Sequence, residues 1–493
     1  MGKLVNPAAW EDRLPEKLLA ALTEWVEGQP FDLRHRRWLV GGASGSYVAV
    51  VLMQHPNRLR GGVVKLVPPE LAKAESSAVQ LAQHAGPTEF VEAHLVQTSR
   101  AEPLPGATGY WLHLQDFAQV DVATLAPLNL LIDDAEFSAY CETIIRAMTT
   151  GWNPDRDDPP MDTVTPGAYL RTDLAGKKDA LGAFAAQIGL SAGATTVTLP
   201  ARRSDLPNPF RLLTDGVEGG PELMLFRGRG HGDLNLGNIL VPVSRGVVQA
   251  DRFQLIDYGR FSTTMAVSRD PSKLLLSICA HWLRSLVPGS AIRSGLAELV
   301  VAPDEYRPAP ALAGCLSVVE PIWRAAAMWA STRRLVVWDW AQQQRLVLAA
   351  AAMRTVARAD QSIDDRLWHL EVAALALHPL LDEVPQGQSA AVATIPPEPP
   401  VEMSPHRPTR ETFSGRVKVA FSQRLGDDWR DIADLLGIPV YSQARFAMGG
   451  EARPIWEWLE ARGRLAELRD ALRAIGRPDL VELFDEDDQD DAG

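Results

Sequence analysis

Cysteine is scarce. The chain has three in 493 residues, Cys141, Cys279 and Cys315, and they lie far apart. That spacing excludes a disulfide framework and shows no zinc pattern, and the first two fall in apolar helical text, where a thiol behaves as a small core residue. Long apolar runs are missing too. No run approaches the roughly 18 residues of a membrane span. The start, Met1-Gly2-Lys3-Leu4-Val5-Asn6, lacks the apolar core of a signal peptide and has Asn where a myristoylation signal wants Ser or Thr. The expectation is a soluble, cytoplasmic protein with no membrane partner. Positive charge is in deficit: 49 Lys+Arg against 62 Asp+Glu give −13, and six of the negatives sit in Asp485-Glu486-Asp487-Asp488-Gln489-Asp490-Asp491. No global field draws such a chain to nucleic acid, although a local basic patch stays open. No internal repeat of 20–50 residues is visible, which excludes a solenoid.

What is there is an ordinary globular composition, 46% apolar and 23% charged. At this length it has room for about two to four domains. The clearest boundary is the stretch 384–412, where Pro385, Pro396, Pro397, Pro399, Pro400, Pro405 and Pro408 predict an extended, semi-stiff tether. It separates residues 1–383 from a C-terminal module at 413–484 and an acidic, disordered tail at 485–493. In the large unit the period changes quickly at first. A helix at Leu14–Glu27 precedes β-rich runs at Ser46–Met53 and Gly61–Val67, a helix at Pro69–Gln83, a short run near Phe90–Thr98 and a strand at Tyr110–Phe117. Later text is mainly helical, at Asp134–Thr149, Pro271–Leu286, Pro321–Ala341 and Leu346–Leu380, broken by a β-like hairpin between Ile239 and Asp257. The fold class expected is α+β, with a sheet lobe (about 35–118) before a helical lobe (about 119–383).

The string richest in chemistry is His231-Gly232-Asp233-Leu234-Asn235-Leu236-Gly237-Asn238, followed by Ile256-Asp257-Tyr258-Gly259. Four fixed residues of the H-G-D-x₄-N kind occur by chance in about three in a thousand chains of this length. Asp233 is the candidate base, and Asn238 and Asp257 are oxygen donors suited to Mg²⁺. Upstream, Gly41, Gly42, Ser44, Gly45 and Ser46 lie on a glycine-rich link between β segments, where backbone N–H groups can approach phosphates. Lys65 sits among apolar alternate neighbours, so its ammonium needs an anionic partner. A phosphate is one. Glu75 is another, since Glu75, Val79 and Ala82 fall about one turn apart on one face of the next helix. Glu70 competes, and can also simply serve the helix's first turn. For Asp270, in Ser268-Arg269-Asp270-Pro271, a helix cap is one reading.

Taken together, Gly41–Ser46, Lys65, His231-Gly232-Asp233-x₄-Asn238 and Asp257-Tyr258-Gly259 resemble the aminoglycoside and choline phosphotransferase branch of the protein-kinase-like fold, which has H-G-D where protein kinases have H-R-D. The resemblance implies a bilobal fold binding ATP and Mg²⁺. Lys65 would hold the α/β-phosphates, Asp233 would orient or deprotonate an acceptor hydroxyl, Asn238 and Asp257 would hold the metal, and His231 would brace the loop. It also implies that Asp270 anchors the catalytic loop and that the enlargement at 151–222 selects the acceptor or docks a partner. GTP stays open beside ATP, because the hinge Leu114-Gln115-Asp116-Phe117 reads bases mainly through its backbone.

In the C-terminal module five or six short amphipathic helices are expected: Phe413–Leu425, Asp428–Leu436, a short one near Ser442–Ala447, Ala452–Ala461, Arg464–Ile475 and Pro478–Phe484. With Trp429 and either Trp456 or Trp458 as core tryptophans, it resembles a death domain, of the kind fused to effector modules in bacterial conflict and signalling systems. Such modules pair with like modules through charged faces, for which Arg430, Arg445, Arg453, Arg462 and Arg473 and Asp431, Glu451, Glu457 and Glu467 supply both signs. Two functions follow. One is a phosphotransferase acting on an unidentified hydroxyl acceptor and recruited by its tail; the other is a pseudokinase scaffold whose output is death-fold association.

Overall fold

The structure is a computed structural model that describes residues 2–39, 45–106, 109–116, 125–154, 161–191, 193–200, 202, 204–306, 309–333, 337–381, 391–392, 415–425, 432–433, 435–436, 455–456, 459, 465 and 467–490. The chain divides into two compact units, with the break at Pro396–Pro397 inside the proline-rich stretch.

The N-terminal unit begins with a six-stranded sheet. Strands Asp32–Leu39, Tyr47–His55, Arg58–Val67, Trp111–Asp116 and Gln97–Pro103 follow one another antiparallel, and Leu4–Val5 adds a parallel edge. Helix Glu16–Glu27 buries Leu18, Ala21, Leu22, Trp25 and Val26, a stripe at helical spacing. That stripe shares a core with Val64, Leu66, Leu112 and Leu114 on one face of the sheet. The opposite face carries Val48, Val50, Val63 and, one pleat on, Lys65. Helix Pro69–Ala85 buries Ala72, Glu75, Val79 and Ala82 on one face, so the carboxylate among them is turned inward. The run near Phe90–Thr98, expected as β-like, is instead a helix at Thr88–His94 followed by strand Gln97–Pro103. Pro87 opens that helix, and Phe90 and Val91 pin it to the core.

Two small sheets then position the chemistry. Strand Leu223–Gly230 runs between Met161–Val164 and Ser262–Ala266, and delivers His231 at its end. Strand Ile239–Ser244 pairs with Gln254–Leu255 (Ile239 opposite Leu255), which sets Asn238 across from Ile256 and beside Asp257. Helices Phe137–Arg146, Arg269–Trp282, Ala291–Val301, Ala313–Thr332, Val337–Val356 and Ile363–Leu377 complete the unit. Cys141 and Cys279 are buried as small core residues.

Two helix boundaries differ from expectation. Pro321 lies inside helix Ala313–Thr332 instead of starting one, because the buried stripe Val318, Val319, Ile322, Trp323 and Trp329 runs straight through it. The window Pro310–Ser331 has the length and mean hydropathy (1.2) of a membrane span, which the sequence reading had not anticipated. Its inward stripe packs against helix Phe137–Arg146, and 39% of the window is buried. The single helix expected at Leu346–Leu380 is two, Val337–Val356 and Ile363–Leu377, with Ser362 capping the second through the Asp365 amide. Inside the 151–222 enlargement, helix Pro166–Asp173 ends on a buried carboxylate. Asp173 accepts from Arg354 at 2.7 Å and pairs with Arg269, tying the enlargement to the helical lobe.

Burial pushes the pKa of His369 down to about 4, and burial with the Lys65 charge does the same to His113. Both rings are neutral in the folded state, whereas the unfolded chain protonates them below about pH 6.5. Stability therefore falls as pH drops from 6.5 toward 4, by about 3 kcal/mol per ring once complete. Chemical denaturation across that range should show a flatter pH dependence for His369→Gln than for the wild type. An identical slope would contradict the assignment.

In the C-terminal unit, helices Gly415–Arg424, Glu467–Ala474 and Pro478–Asp490 contribute to one core with Ile432, Leu436, Ile455, Trp456 and Leu459. Trp456 is the core tryptophan of the expected pair; it stacks on Phe484 and touches Phe421. Trp429, Trp458 and the helix expected at Ser442–Ala447 lie outside the described residues. The acidic tail does not end the helix at Phe484 as expected. Anchored by Leu480, Val481 and Phe484, the helix propagates to Asp490, since extending a nucleated helix costs little. Of the expected tether, Ala391–Val392 forms a short parallel strand with Val197–Thr198; its other residues up to 412 lie outside the described ones.

Candidate active site

Lys65 comes from the central strand Arg58–Val67 and is 3% exposed. Its ammonium donates to Glu75 Oε1 and, at 2.6 Å, to Asp257 Oδ1. Burial alone would strip the proton from this lysine, but the Asp257 and Glu75 charges outweigh it and hold its pKa above the usual value. Glu75 is thus the partner and Glu70 is exposed on the first turn. Asp257 adopts φ +65°, a left-handed conformation that costs an ordinary side chain of order 1 kcal/mol or more. Such strain persists where surroundings over-determine it, and here Lys65 grips the carboxylate. At Gly259, a Cβ would stand 3.0 Å from Glu75 Oε2, so glycine leaves room for the ion pair.

The His231–Asn238 loop is pinned from three sides. Asp270 accepts the His231 amide at 2.6 Å and the Gly232 amide at 2.9 Å, one on each carboxylate oxygen. Asp270 lies inside helix Arg269–Trp282, whose N-cap is Ser268, and its carboxylate oxygens go to the loop amides, which is the anchoring arrangement and not a cap. His231 Nε2–H donates to Ile256 O at 2.8 Å while Nδ1 accepts from the Asp233 amide at 3.3 Å, and the two contacts select one tautomer. Gly232 has φ +79°, and a Cβ there would meet Arg260 O at 2.4 Å. Asn235 Oδ1 caps the amides of Gly237 and Asn238, Asn238 Nδ2 donates to Asp233 O at 2.9 Å, and the Ile256 amide donates to Asn238 O at 3.1 Å. These bonds bring Asp233, Asn238 and Asp257 to one place. Asn238 keeps Oδ1, and Asp257 its second oxygen, for a further ligand. An amide oxygen and a carboxylate are the hard donors Mg²⁺ takes when phosphates complete its shell.

Sequence reasoning missed Lys273. It stands one helical turn after Asp270, and its ammonium lies 3.2 Å from Asp233 Oδ1. Burial opposes ionisation of Asp233, yet the Lys273 and Arg260 charges prevail and hold its carboxyl below the usual range. Burial pushes the Lys273 pKa down in turn. The i, i+3 spacing of Asp270 and Lys273 was the available signal. Tyr258 was also unassigned; its buried hydroxyl is placed against Val96 O at 2.6 Å and Leu255 O at 2.8 Å. Of the glycine-rich link, Gly41, Gly42 and Ser44 lie outside the described residues. Gly45 has φ +71°, and Ser46 is buried with its hydroxyl unpartnered.

The N-terminal unit is α+β, a sheet lobe followed by a helical lobe. Solved structures similar to the chain include a candidate aminoglycoside phosphotransferase from Ralstonia eutropha JMP134, at 11% identity over 74% of this chain and 99% of that one, TM-score 0.36. A glucosamine kinase matches at 11% identity over 72% of this chain and 95% of that one, TM-score 0.32. The Mycobacterium tuberculosis PknI kinase domain matches at 15% identity over 64% and 95%, TM-score 0.21. No curated protein matches the sequence. Residues 415–487 match the family model of Bacterial Death-like domain 3, and the C-terminal unit is a death-like domain.

Proposed function

We propose that the chain is a phosphotransferase that moves the γ-phosphoryl group of ATP, with Mg²⁺, to a hydroxyl acceptor, and that its death-like domain brings it to a cytoplasmic signalling or defence assembly. The observation that carries this reading is Lys65 bridging Glu75 and Asp257 beside a loop that Asp270 pins by the His231 and Gly232 amides and in which Asn238 bonds the Asp233 carbonyl. Lys65 would neutralise the α/β-phosphates, held extended by Glu75. Main-chain amides of Gly41–Ser46 would cover them. Asn238 and Asp257 would hold Mg²⁺, which supplies charge neutralisation on the phosphate oxygens. Asp233 would take the proton of the acceptor hydroxyl as its oxygen bonds to phosphorus and the bond from phosphorus to the leaving nucleoside diphosphate breaks. Its depressed pKa suits orientation and late proton acceptance more than prior deprotonation. Lys273 keeps that carboxylate ionised.

Partner binding is assigned to the charged helix faces of the death-like domain. Arg473 and Asp470 there form an exposed pair at 2.8 Å on helix Glu467–Ala474, which also carries Glu467. Arg430, Arg445, Arg453, Arg462, Asp431, Glu451 and Glu457 lie outside the described residues.

The test is thermal melting of the full chain. A ligand bound only by the folded state stabilises it by about 2.7 kcal/mol at 100 times Kd. Wild type should melt higher with Mg²⁺ and ATP together, and Asp257→Asn, compared with its own unliganded baseline, should lose that shift. No shift in wild type would favour a scaffold acting through its tail.

A further inference from the structure

We propose that Gln115 reads the base of the nucleotide and selects adenine over guanine, an inference that rests on the nucleotide-binding reading above. Strand register carries it. On strand Arg58–Val67, Val63 and Lys65 point to the same face, and the residues directly opposite them on Trp111–Asp116 are Gln115 and His113. All four side chains therefore leave the face from which Lys65 reaches Glu75 and Asp257. Their intervening neighbours Val64, Leu112 and Leu114 are consumed by the core under helix Glu16–Glu27 on the other face.

Val63 belongs to an apolar cluster with Leu39, Val48, Val50, Leu240 and Ile256. Its members adjoin the site residues along the chain: Leu39 and Val48 border the glycine-rich link, Leu240 follows Asn238 by two residues, and Ile256 immediately precedes Asp257. An apolar cluster next to the lysine proposed to hold phosphates suits a flat heterocycle, and Gln115 lies directly across the strand pair from its member Val63.

Gln115 is 2% exposed, and its side-chain amide makes no hydrogen bond among the described residues. Beside it on the same face, His113 is fully buried, with Nε2 at 3.3 Å from Ser76 Oγ and Nδ1 unpartnered. Buried polar atoms are ordinarily paired, and an unpartnered His113 Nδ1 beside a Gln115 amide with no hydrogen bond points to a partner that arrives with a ligand. His113 is neutral, its pKa pushed down to about 4 by burial and the Lys65 charge, so the two side chains that strand Trp111–Asp116 places on this face are polar without charge. That is the character a base requires and a phosphate does not.

A glutamine amide offers one acceptor and one donor side by side. Adenine presents the complementary pair, the N6 amino group as donor and N7 as acceptor, so both ends can bond at once. Guanine presents O6 and N7, two acceptors, and sets Gln115 Oε1 against one of them. Discrimination comes from the mismatch as much as from the match.

The experiment measures Kd for ATP and for GTP, each with Mg²⁺, by titration calorimetry on the full chain. Wild type should bind ATP at least about tenfold more tightly than GTP. In Gln115→Met, which keeps volume and removes both polar atoms, the preference should collapse to within about threefold, mainly through weaker ATP binding. Gln115→Leu provides a second variant should methionine alter the packing. Equal ATP and GTP binding by wild type, or a preference retained in a folded variant, overturns the role of Gln115 while leaving the nucleotide site intact. Wild type binding neither nucleotide overturns the site reading itself, and this inference with it.

Discussion

Asp233→Asn should lower phosphoryl transfer by about 10²- to 10⁴-fold, the span ordinarily supplied by a positioned acid or base. The substitution keeps the shape and the acceptor oxygen but removes the ability to take a proton. The loop itself should survive, because what pins it is Asp270 on the His231 and Gly232 amides, together with main-chain contacts of Asp233. The nucleotide-induced rise in melting temperature should therefore persist, since Lys65 and Asp257 are untouched. With the acceptor unidentified, ADP release with water as the acceptor is the practical assay. Unchanged release in Asp233→Asn would sink the phosphotransfer reading. Lys273 complicates the variant instructively: losing its carboxylate leaves a largely buried ammonium against a neutral amide. Measuring the unliganded stability of both proteins separates that cost from the loss of chemistry.

Trp456→Ala should unfold the death-like domain. The indole is 1% exposed, stacked on Phe484 at 5.8 Å between ring centres and 5.6 Å from Phe421. Removing so large a buried ring costs about 3–5 kcal/mol through lost transfer energy and the cavity left behind. A domain of some 70 residues has about that much stability in total. Hydrogen exchange on the full chain should show protection lost across Val417–Phe421 and Leu468–Leu472, while the residues around Lys65 keep theirs. The N-terminal unit has its own core, built from clusters that include none of these side chains. Protection retained around Phe421 would mean that Trp456 does not hold that core together.

These outcomes bear on how much could be read without coordinates. Lys65 was legible because a lysine among alternating valines must meet an anion. Glu75 was legible because its one-turn spacing from Val79 and Ala82 put it on the buried face. Both inferences need only local periodicity and the cost of a buried charge. Asp233, Asn238 and Asp257 were legible as a motif, since their order along the chain is itself the pattern.

Other assignments needed elements far apart in sequence to meet. Asp270 could be a cap or an anchor on sequence grounds, and only the approach of strand Leu223–Gly230 to its helix gave its two oxygens the His231 and Gly232 amides. Lys273 acquires meaning from the same approach. Pro321 looked like a helix start because proline favours first turns, but the apolar stripe beneath it outweighed that preference. Gln115 and His113 are the sharpest case. Nothing in Leu112-His113-Leu114-Gln115 says which face meets the cleft until the register of Val63 opposite Gln115 is set. A shift of one residue would exchange the faces. The chain by itself thus determined which groups are present and their local faces, through periodicity and the cost of isolated charge. Tertiary structure alone decided which of them meet, because strand register and helix docking are settled by burial summed over the whole unit.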